Sequence, residues 1–514
     1  MYIGKSLETF RRTQPDKVAL YYDDTKMTYA TFVTQVMRFR QTLRSSVQKE
    51  KQPRVALLIT NEPALLEMFF AIVTLGWVAI PIDPKWTVRE AEQAIALANP
   101  DLIVASKKFT SRIRRRFPIS FYVEDGALEE VKNGSHERCG ELRESTIKQV
   151  ECNVTDISSN TPFYLGFTSG STGVPKGYIR SHGSWLKSFQ ACEEAFHYHS
   201  DDVLMAPGPL CHSLSLFAAI HALHIGASFA FQASFNHRTV IEMMRASNVS
   251  AMYAVPTMLL ALAEKNSATE LKSTFISAGA TLEPSVYRKL KKSFPNSNIY
   301  EFYGASELSI VTYATEDMLT MYPESVGKPF PDVHISIRNE AGQVLKRGEI
   351  GQIFMESPYI FDSYIADQKA TDDVLTSNGA TAGDIGYINE AGLLCIVGRK
   401  NNMIIRGGQN VYPEEIETLL KELPFVEEAV IVGVDDVYWG EQIIALIQWS
   451  AGVSDERRYL SRLRRHCRKY LASYKRPHTY MTVTQFPYTA TGKIDRKKVR
   501  KLIGSEHNEC TSNR

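Results

Sequence analysis

Residues 164–177 read YLGFTSGSTGVPKG, a run in which Ser, Thr and Gly crowd together and a single lysine, Lys176, closes the stretch. Small hydroxylated residues and glycines let backbone N–H groups converge on an anion, and a lysine adds a point charge on a flexible stem. That composition suits a polyphosphate. It is not the Walker pattern GxxxxGK[ST], because Pro175 stands where the second glycine belongs and Gly177 follows the lysine in place of Ser or Thr. A flexible Ser/Gly linker has the same composition. Residues 162–167 are largely apolar and run straight into the loop, as a strand feeding a binding loop does, and this favours binding over linker.

Outward from that loop, 514 residues exceed one ordinary core, so two or more domains are expected. A net charge of +2 gives no electrostatic reason to expect nucleic acid or an anionic membrane as partner. Locally the balance is less even, with Lys and Arg outnumbering Asp and Glu from Lys400 onward. Cysteines 139, 152, 192, 211, 395, 467 and 510 are scattered, with no CxxC and no zinc-like His spacing, which fits a reducing compartment. The opening MYIGKSLETFRR lacks the pattern of a secretory leader, and a cytoplasmic protein is expected. The longest apolar stretch, residues 65–82, is broken by Gly76 and Pro81 and reads as helix, turn and strand, not as a membrane span.

Residues 55–59, 77–82, 101–105, 228–232, 252–255 and 272–277 read as strands, with residues 63–74 as a helix between the first two. Strands alternating with helices predict an α/β fold with mainly parallel sheets. Residues 348–355 and 392–397 change to short, glycine-bounded strands, a β-rich subdomain. Beyond the polar junction 398–402 come a helix at 413–420, a strand at 429–434 and a basic helix at 455–471 whose Leu460, Leu463 and Cys467 share a face. These predict a large N-terminal domain, residues 1–398, and a small mobile α+β C-terminal domain, residues 399–514, with a hinge near Asn401.

Further stretches accompany the loop in a fixed order. They are Thr28-Tyr29, GWVAIPIDP at 76–84, Pro209-Leu210-Cys211-His212, SAGATL at 277–282, Tyr303-Gly304-Ala305-Ser306-Glu307, Gly383-Asp384, Gly398-Arg399 and TATGK at 489–493. Together they resemble the adenylate-forming superfamily of acyl-CoA synthetases, adenylation domains and luciferases, over nearly the whole chain, with the acyl-CoA synthetases nearest in pattern. The resemblance implies that Thr168, Ser169, Gly170, Ser171, Thr172, Gly173 and Lys176 hold the phosphates of ATP. It implies that Gly279, Ala280, Tyr303 and Gly304 line the adenine, and that Asp384 and Arg399 hold the ribose. Glu307 is implied as the Mg²⁺ ligand beside Ser306, and Lys493 as the catalytic lysine that bridges substrate carboxylate and α-phosphate. Gly407 and Gly408 are implied to line the arm of coenzyme A.

The chemistry asks for such residues. Attack of a carboxylate on an α-phosphate brings two anions together, and their repulsion must be offset by cations that gain most as charge builds. His212 stands where amino-acid-activating relatives hold an Asp for the α-amine, and a neutral imidazole favours an acid without one. The expected activity is therefore an ATP-dependent carboxylic acid–CoA ligase working on a fatty or aryl acid. Two alternatives stay open: a stand-alone adenylation enzyme that loads an acyl carrier protein in trans, and a nucleotide-binding interaction protein without catalysis. The oligomeric state is also open, with a homodimer among the options. Asn401-Asn402 departs from the charged hinge residues usual in the family, and Tyr488 stands where a basic residue is common.

Overall fold

Strand Arg54–Leu58 runs RVALL with four consecutive buried residues, the pattern of a strand covered on both faces. It pairs in parallel with Val78–Pro81 on one side and Leu102–Ser106 on the other. Helix Pro63–Val73 makes the crossover between the first two. It begins with proline in its first turn, where the missing N–H has no intrahelical partner to lose, and it is buried from Ala64 to Val73 on every face.

The computed structural model describes residues 1–47, 52–109, 119–124, 127–132, 135–138, 157–168, 175–265, 270–406, 409–436, 439–453, 455–488, 494–496, 498–501 and 503. The chain divides into two compact units, Met1–Ile335 with Met355–Ala382, and Ser336–Phe354 with Gly383–Arg514. The expected domain junction at residues 399–401 lies inside the second unit.

Among the described residues, the first unit contains two nine-stranded sheets. One has parallel pairing at its centre, where Thr274–Ala278 lies between Ala251–Ala254 and Asn298–Ala305, and antiparallel strands at both ends. The other continues from Val78–Pro81 in parallel to Pro162–Thr168, which then turns back antiparallel into Lys176–Ser181. The largest core cluster takes Leu204, Phe229 and Ile276 from the first sheet, Val55, Leu57 and Phe163 from the second, and helix Pro63–Val73. The expected α/β architecture with mainly parallel sheets is what forms, and the predicted strands and helices shift by up to three residues at their ends.

In the second unit, Asp384–Ile388 and Leu394–Arg399 form an antiparallel pair, the expected glycine-bounded β-rich region. The long hairpin of Val426–Asp436 and Gly440–Trp449 is covered by helices Pro413–Lys421 and Glu456–Tyr470, and Ile416, Leu420, Leu463 and Cys467 share one core with it. No helix among the described residues is long and apolar enough to cross a membrane.

Candidate active site

Strands Pro162–Thr168 and Lys176–Ser181 form the frame of the Ser/Gly/Thr loop, with Thr168 opposite Lys176 and Phe167 opposite Gly177. Ser169, Gly170, Ser171, Thr172 and Gly173 lie outside the described residues. At the frame's open end, the Lys176 ammonium lies 5.2 Å from the centre of the Tyr364 ring and 3.8 Å from an Asp367 carboxylate oxygen. The Tyr364 hydroxyl donates to Glu307 Oε1. One tyrosine thus joins the expected phosphate lysine to the expected metal carboxylate: its face meets the cation and its hydroxyl meets the anion. Burial, and then the Glu307 charge, push the Tyr364 phenol far above its ordinary range, so it stays protonated and donates. Glu307 Oε2 has no hydrogen-bond partner among the described residues and Glu307 is half-buried, so this oxygen can take a hard cation.

Ser306 and Glu307 are held from behind by Arg180, a residue only 1% exposed. It donates to the Ser306 carbonyl at 3.2 Å and to the Tyr359 carbonyl. Burial lowers Arg180 to about 10, which leaves it charged at neutral pH. A charge desolvated this far is tolerated only where carbonyls and nearby carboxylates compensate. Tyr178, also buried, meets the Tyr164 hydroxyl at 3.1 Å beside the Ser306–Glu307 turn.

The SAGATL stretch leaves strand Thr274–Ala278 at Gly279, whose φ of +88° is one that L side chains rarely adopt. Its far end is pinned by Glu301, whose Oε1 accepts from the Leu282 N–H at 2.7 Å. Burial raises the Glu301 carboxyl to about 7. Tyr303 and Gly304 follow on the same strand, where the ladder to Ser309–Ala314 shifts register. A Cβ on Gly304 would stand 2.1 Å from the Ser309 carbonyl oxygen, so no larger residue fits that bulge.

His212 begins helix Ser213–Ile225 as its N-cap residue. Its Nε2 lies 3.4 Å from Oδ2 of the buried Asp83. In the second unit, Asp384 and Arg399 are opposite one another on antiparallel strands, and Arg399 Nε donates to Asp384 Oδ1 at 2.9 Å. The carboxylate side chain is 4% exposed and the guanidinium side chain 57%, so the pair presents a cation to solvent with its anion beneath.

Two family sequence models match: that of the AMP-binding enzyme over residues 7–365 and that of the AMP-binding enzyme C-terminal domain over residues 415–493. The chain belongs to the AMP-binding enzyme family. Among curated relatives, it is 34% identical over 504 residues to the uncharacterised acyl-CoA ligase YhfT of Bacillus subtilis, covering 98% of both chains. It is 30% identical to the putative long chain fatty acid-CoA ligase VraA of Staphylococcus haemolyticus, covering 97% of this chain and 98% of the relative. Among solved structures, the fold matches o-succinylbenzoate CoA synthetase of Bacillus subtilis in complex with its acyl-adenylate at a TM-score of 0.82 and 23% identity, covering 97% of this chain and 98% of the other. It also matches the amide bond synthetase McbA of Marinactinospora thermotolerans at 0.85 and 24%, covering 97% and 99%.

This member of the AMP-binding enzyme family carries its remaining expected site residues in the second unit. Lys400–Asn402 forms a short 3₁₀ turn directly after Arg399, and the Asn402 side chain donates to Glu414 at 2.7 Å. Strands Ile404–Arg406 and Gln409–Val411 pair with Arg406 opposite Gln409, and Gly407 and Gly408 lie outside the described residues. Lys493 lies outside them too, between Tyr488 and Ile494, which form an isolated antiparallel bridge.

Four residues of the site escaped the sequence reading: Arg180, Tyr364, Glu301 and Asp83. Only Arg180 carried a local signal, as a charge in the otherwise apolar core of the strand KGYIRS. The other three act through partners between 19 and 129 positions away along the chain, a distance no spacing rule reaches.

Proposed function

We propose that this chain is an ATP-dependent carboxylic acid–CoA ligase acting on a fatty or aryl acid. The acid's carboxylate attacks the α-phosphate of ATP, pyrophosphate leaves, and the coenzyme A thiol then displaces AMP from the acyl-adenylate. The observation that carries this reading is the Lys176–Tyr364–Glu307 cluster at the mouth of the phosphate-loop frame, in a chain whose full-length relatives are named as acyl-CoA ligases.

Thr168, the loop Ser169–Gly173 and Lys176 cradle the phosphates, and Ser306 adds a hydroxyl. Glu307 fits Mg²⁺ through its unpartnered oxygen, and the ion would neutralise phosphate charge as the carboxylate approaches. Gly279, Ala280, Tyr303 and Gly304 take the adenine. Arg399, oriented by Asp384, donates to the ribose while the carboxylate accepts from its hydroxyls. His212 borders the acyl pocket, and Lys493 brings substrate carboxylate and α-phosphate together. The small domain from residue 399 presents Lys493 for the first step and turns near Asn401 to present Gly407 and Gly408 for the second. The acceptor thiol is coenzyme A, and the setting is the cytoplasm.

A screen of fatty and aryl acids for CoA-dependent release of AMP tests the proposal. Release that needs both acid and CoA supports it. Release that needs an acyl carrier protein in place of CoA would transfer the reading to a carrier-loading enzyme.

A further inference from the structure

Asp83, Cys211 and His212 meet at one point of the first unit. Asp83 follows strand Val78–Pro81, and its Oδ1 accepts from the Lys85 N–H at 2.8 Å. Its other oxygen, Oδ2, is buried and makes no hydrogen bond, although the residue is 5% exposed. His212 Nε2 is likewise buried, and the two atoms face each other as a loose pair at 3.4 Å, with no well-formed hydrogen bond on either. The free thiol of Cys211 completes the group: carboxylate oxygen, sulfur and imidazole nitrogen all lie within 4.8 Å of one another. The turn that carries the pair is fixed, with the Leu210 N–H donating to Asn61 Oδ1 at 2.7 Å and the His212 N–H to the Pro209 carbonyl.

A buried carboxylate oxygen and a buried imidazole nitrogen that meet only at 3.4 Å, longer than a good hydrogen bond, converge with a thiol on one spot that a shared ligand would satisfy better. We propose that Asp83, Cys211 and His212 form a binding site for a thiophilic divalent cation of the zinc type, and that filling it stops adenylation by withdrawing His212 from the acyl pocket. One carboxylate, one thiolate and one imidazole suit zinc, with water completing a tetrahedron, whereas Mg²⁺ avoids sulfur. Ligand atoms around zinc stand roughly 3.5 Å apart, so small side-chain rotations close the site. Binding a cation through the Cys211 sulfur releases the thiol proton to solvent. The imidazole side chain is 28% exposed, which gives a cation a way in. The binding half of the proposal stands on these residues alone; the inhibition half rests on the placement of His212 under Proposed function.

The test titrates the full chain with Co²⁺ as a spectroscopic stand-in. The expected result is a near-ultraviolet sulfur-to-cobalt charge-transfer band that saturates at one equivalent, persists in excess Mg²⁺, and is displaced by Zn²⁺. Cys211→Ser should abolish the band, and Asp83→Asn should weaken Co²⁺ binding by about tenfold or more. Thermal unfolding shows whether each variant is folded, and Cys211→Ala serves where serine is not tolerated. The absence of a saturable band in the wild type, or a band that survives both Cys211 variants, would overturn the site. ATP–pyrophosphate exchange with added Zn²⁺ reads the second half: inhibition of the wild type and resistance in folded Cys211→Ser support it. A band without inhibition would overturn the inhibitory role alone.

Discussion

The Lys176–Tyr364–Glu307 cluster of the first unit and the Asp384–Arg399 pair of the second both combine a carboxylate with a cation, in the first through an intervening tyrosine, yet they differ in which partner is left open. Glu307 is half-buried, with one oxygen tied to Tyr364 and the other unpartnered among the described residues. Asp384 is 3% exposed, and Arg399 already occupies its Oδ1. An open carboxylate can gain a ligand as charge develops in the reaction, whereas a carboxylate fixed to its cation mainly sets position. The first cluster is therefore read as serving the chemical step and the second as holding the nucleotide in place.

Glu307→Ala gives the largest expected effect. Acid-dependent ATP–pyrophosphate exchange should fall on the order of 100-fold or more, mostly in kcat, because charge stabilisation at the phosphates is lost. Asp384→Ala should act differently, raising the KM for ATP about tenfold with a smaller change in kcat, since it releases a positioning contact. If the two variants show the same split between KM and kcat, the contrast between open and closed carboxylates fails.

The Glu301 carboxyl rises from an ordinary 4.5 to about 7 on folding. Its stabilising proton is fully held below about pH 4.5 and is lost as pH rises through about 7, so stability falls across that window. Glu301→Gln keeps an acceptor for the Leu282 N–H and removes the charge. It should match the wild type in thermal unfolding near pH 4.5 and exceed it above about pH 8, by about 3 kcal/mol for a shift of that size. A wild type and a variant with parallel pH profiles would contradict this. Tyr364→Phe is the mildest change. It keeps the ring under Lys176 and removes one hydrogen bond to Glu307, so exchange should slow by about two- to tenfold. A loss as large as that of Glu307→Ala would mean that the hydroxyl does more than orient the carboxylate.

How much of this could be read from the sequence divides along chain distance. Strand Arg54–Leu58 and helix Pro63–Val73 announce themselves because periodicity and a first-turn proline are local signals. Thr168, Lys176, Ser306, Glu307, Asp384 and Arg399 were singled out through their motifs; the structure puts Lys176 and Glu307 on the same tyrosine, Tyr364, and Asp384 on Arg399. Tyr364 was not legible. It reaches Glu307 across 57 positions, through the pairing of its own short strand with Lys176–Ser181. Glu301 looked like any strand glutamate, and only its burial against the Leu282 amide gives it a role. Asp83 lay within a stretch read as structural, and its meeting with His212 depends on how two loops pack.

The central claim is that this chain activates a carboxylic acid as its adenylate and does so through Glu307. ATP–pyrophosphate exchange, run without coenzyme A across a panel of fatty and aryl acids, tests it most directly. The account predicts exchange that appears only with a matching acid, needs no thiol, and drops about 100-fold or more in folded Glu307→Ala. Exchange that is indifferent to the acid, or that proceeds equally well in that variant, would contradict it.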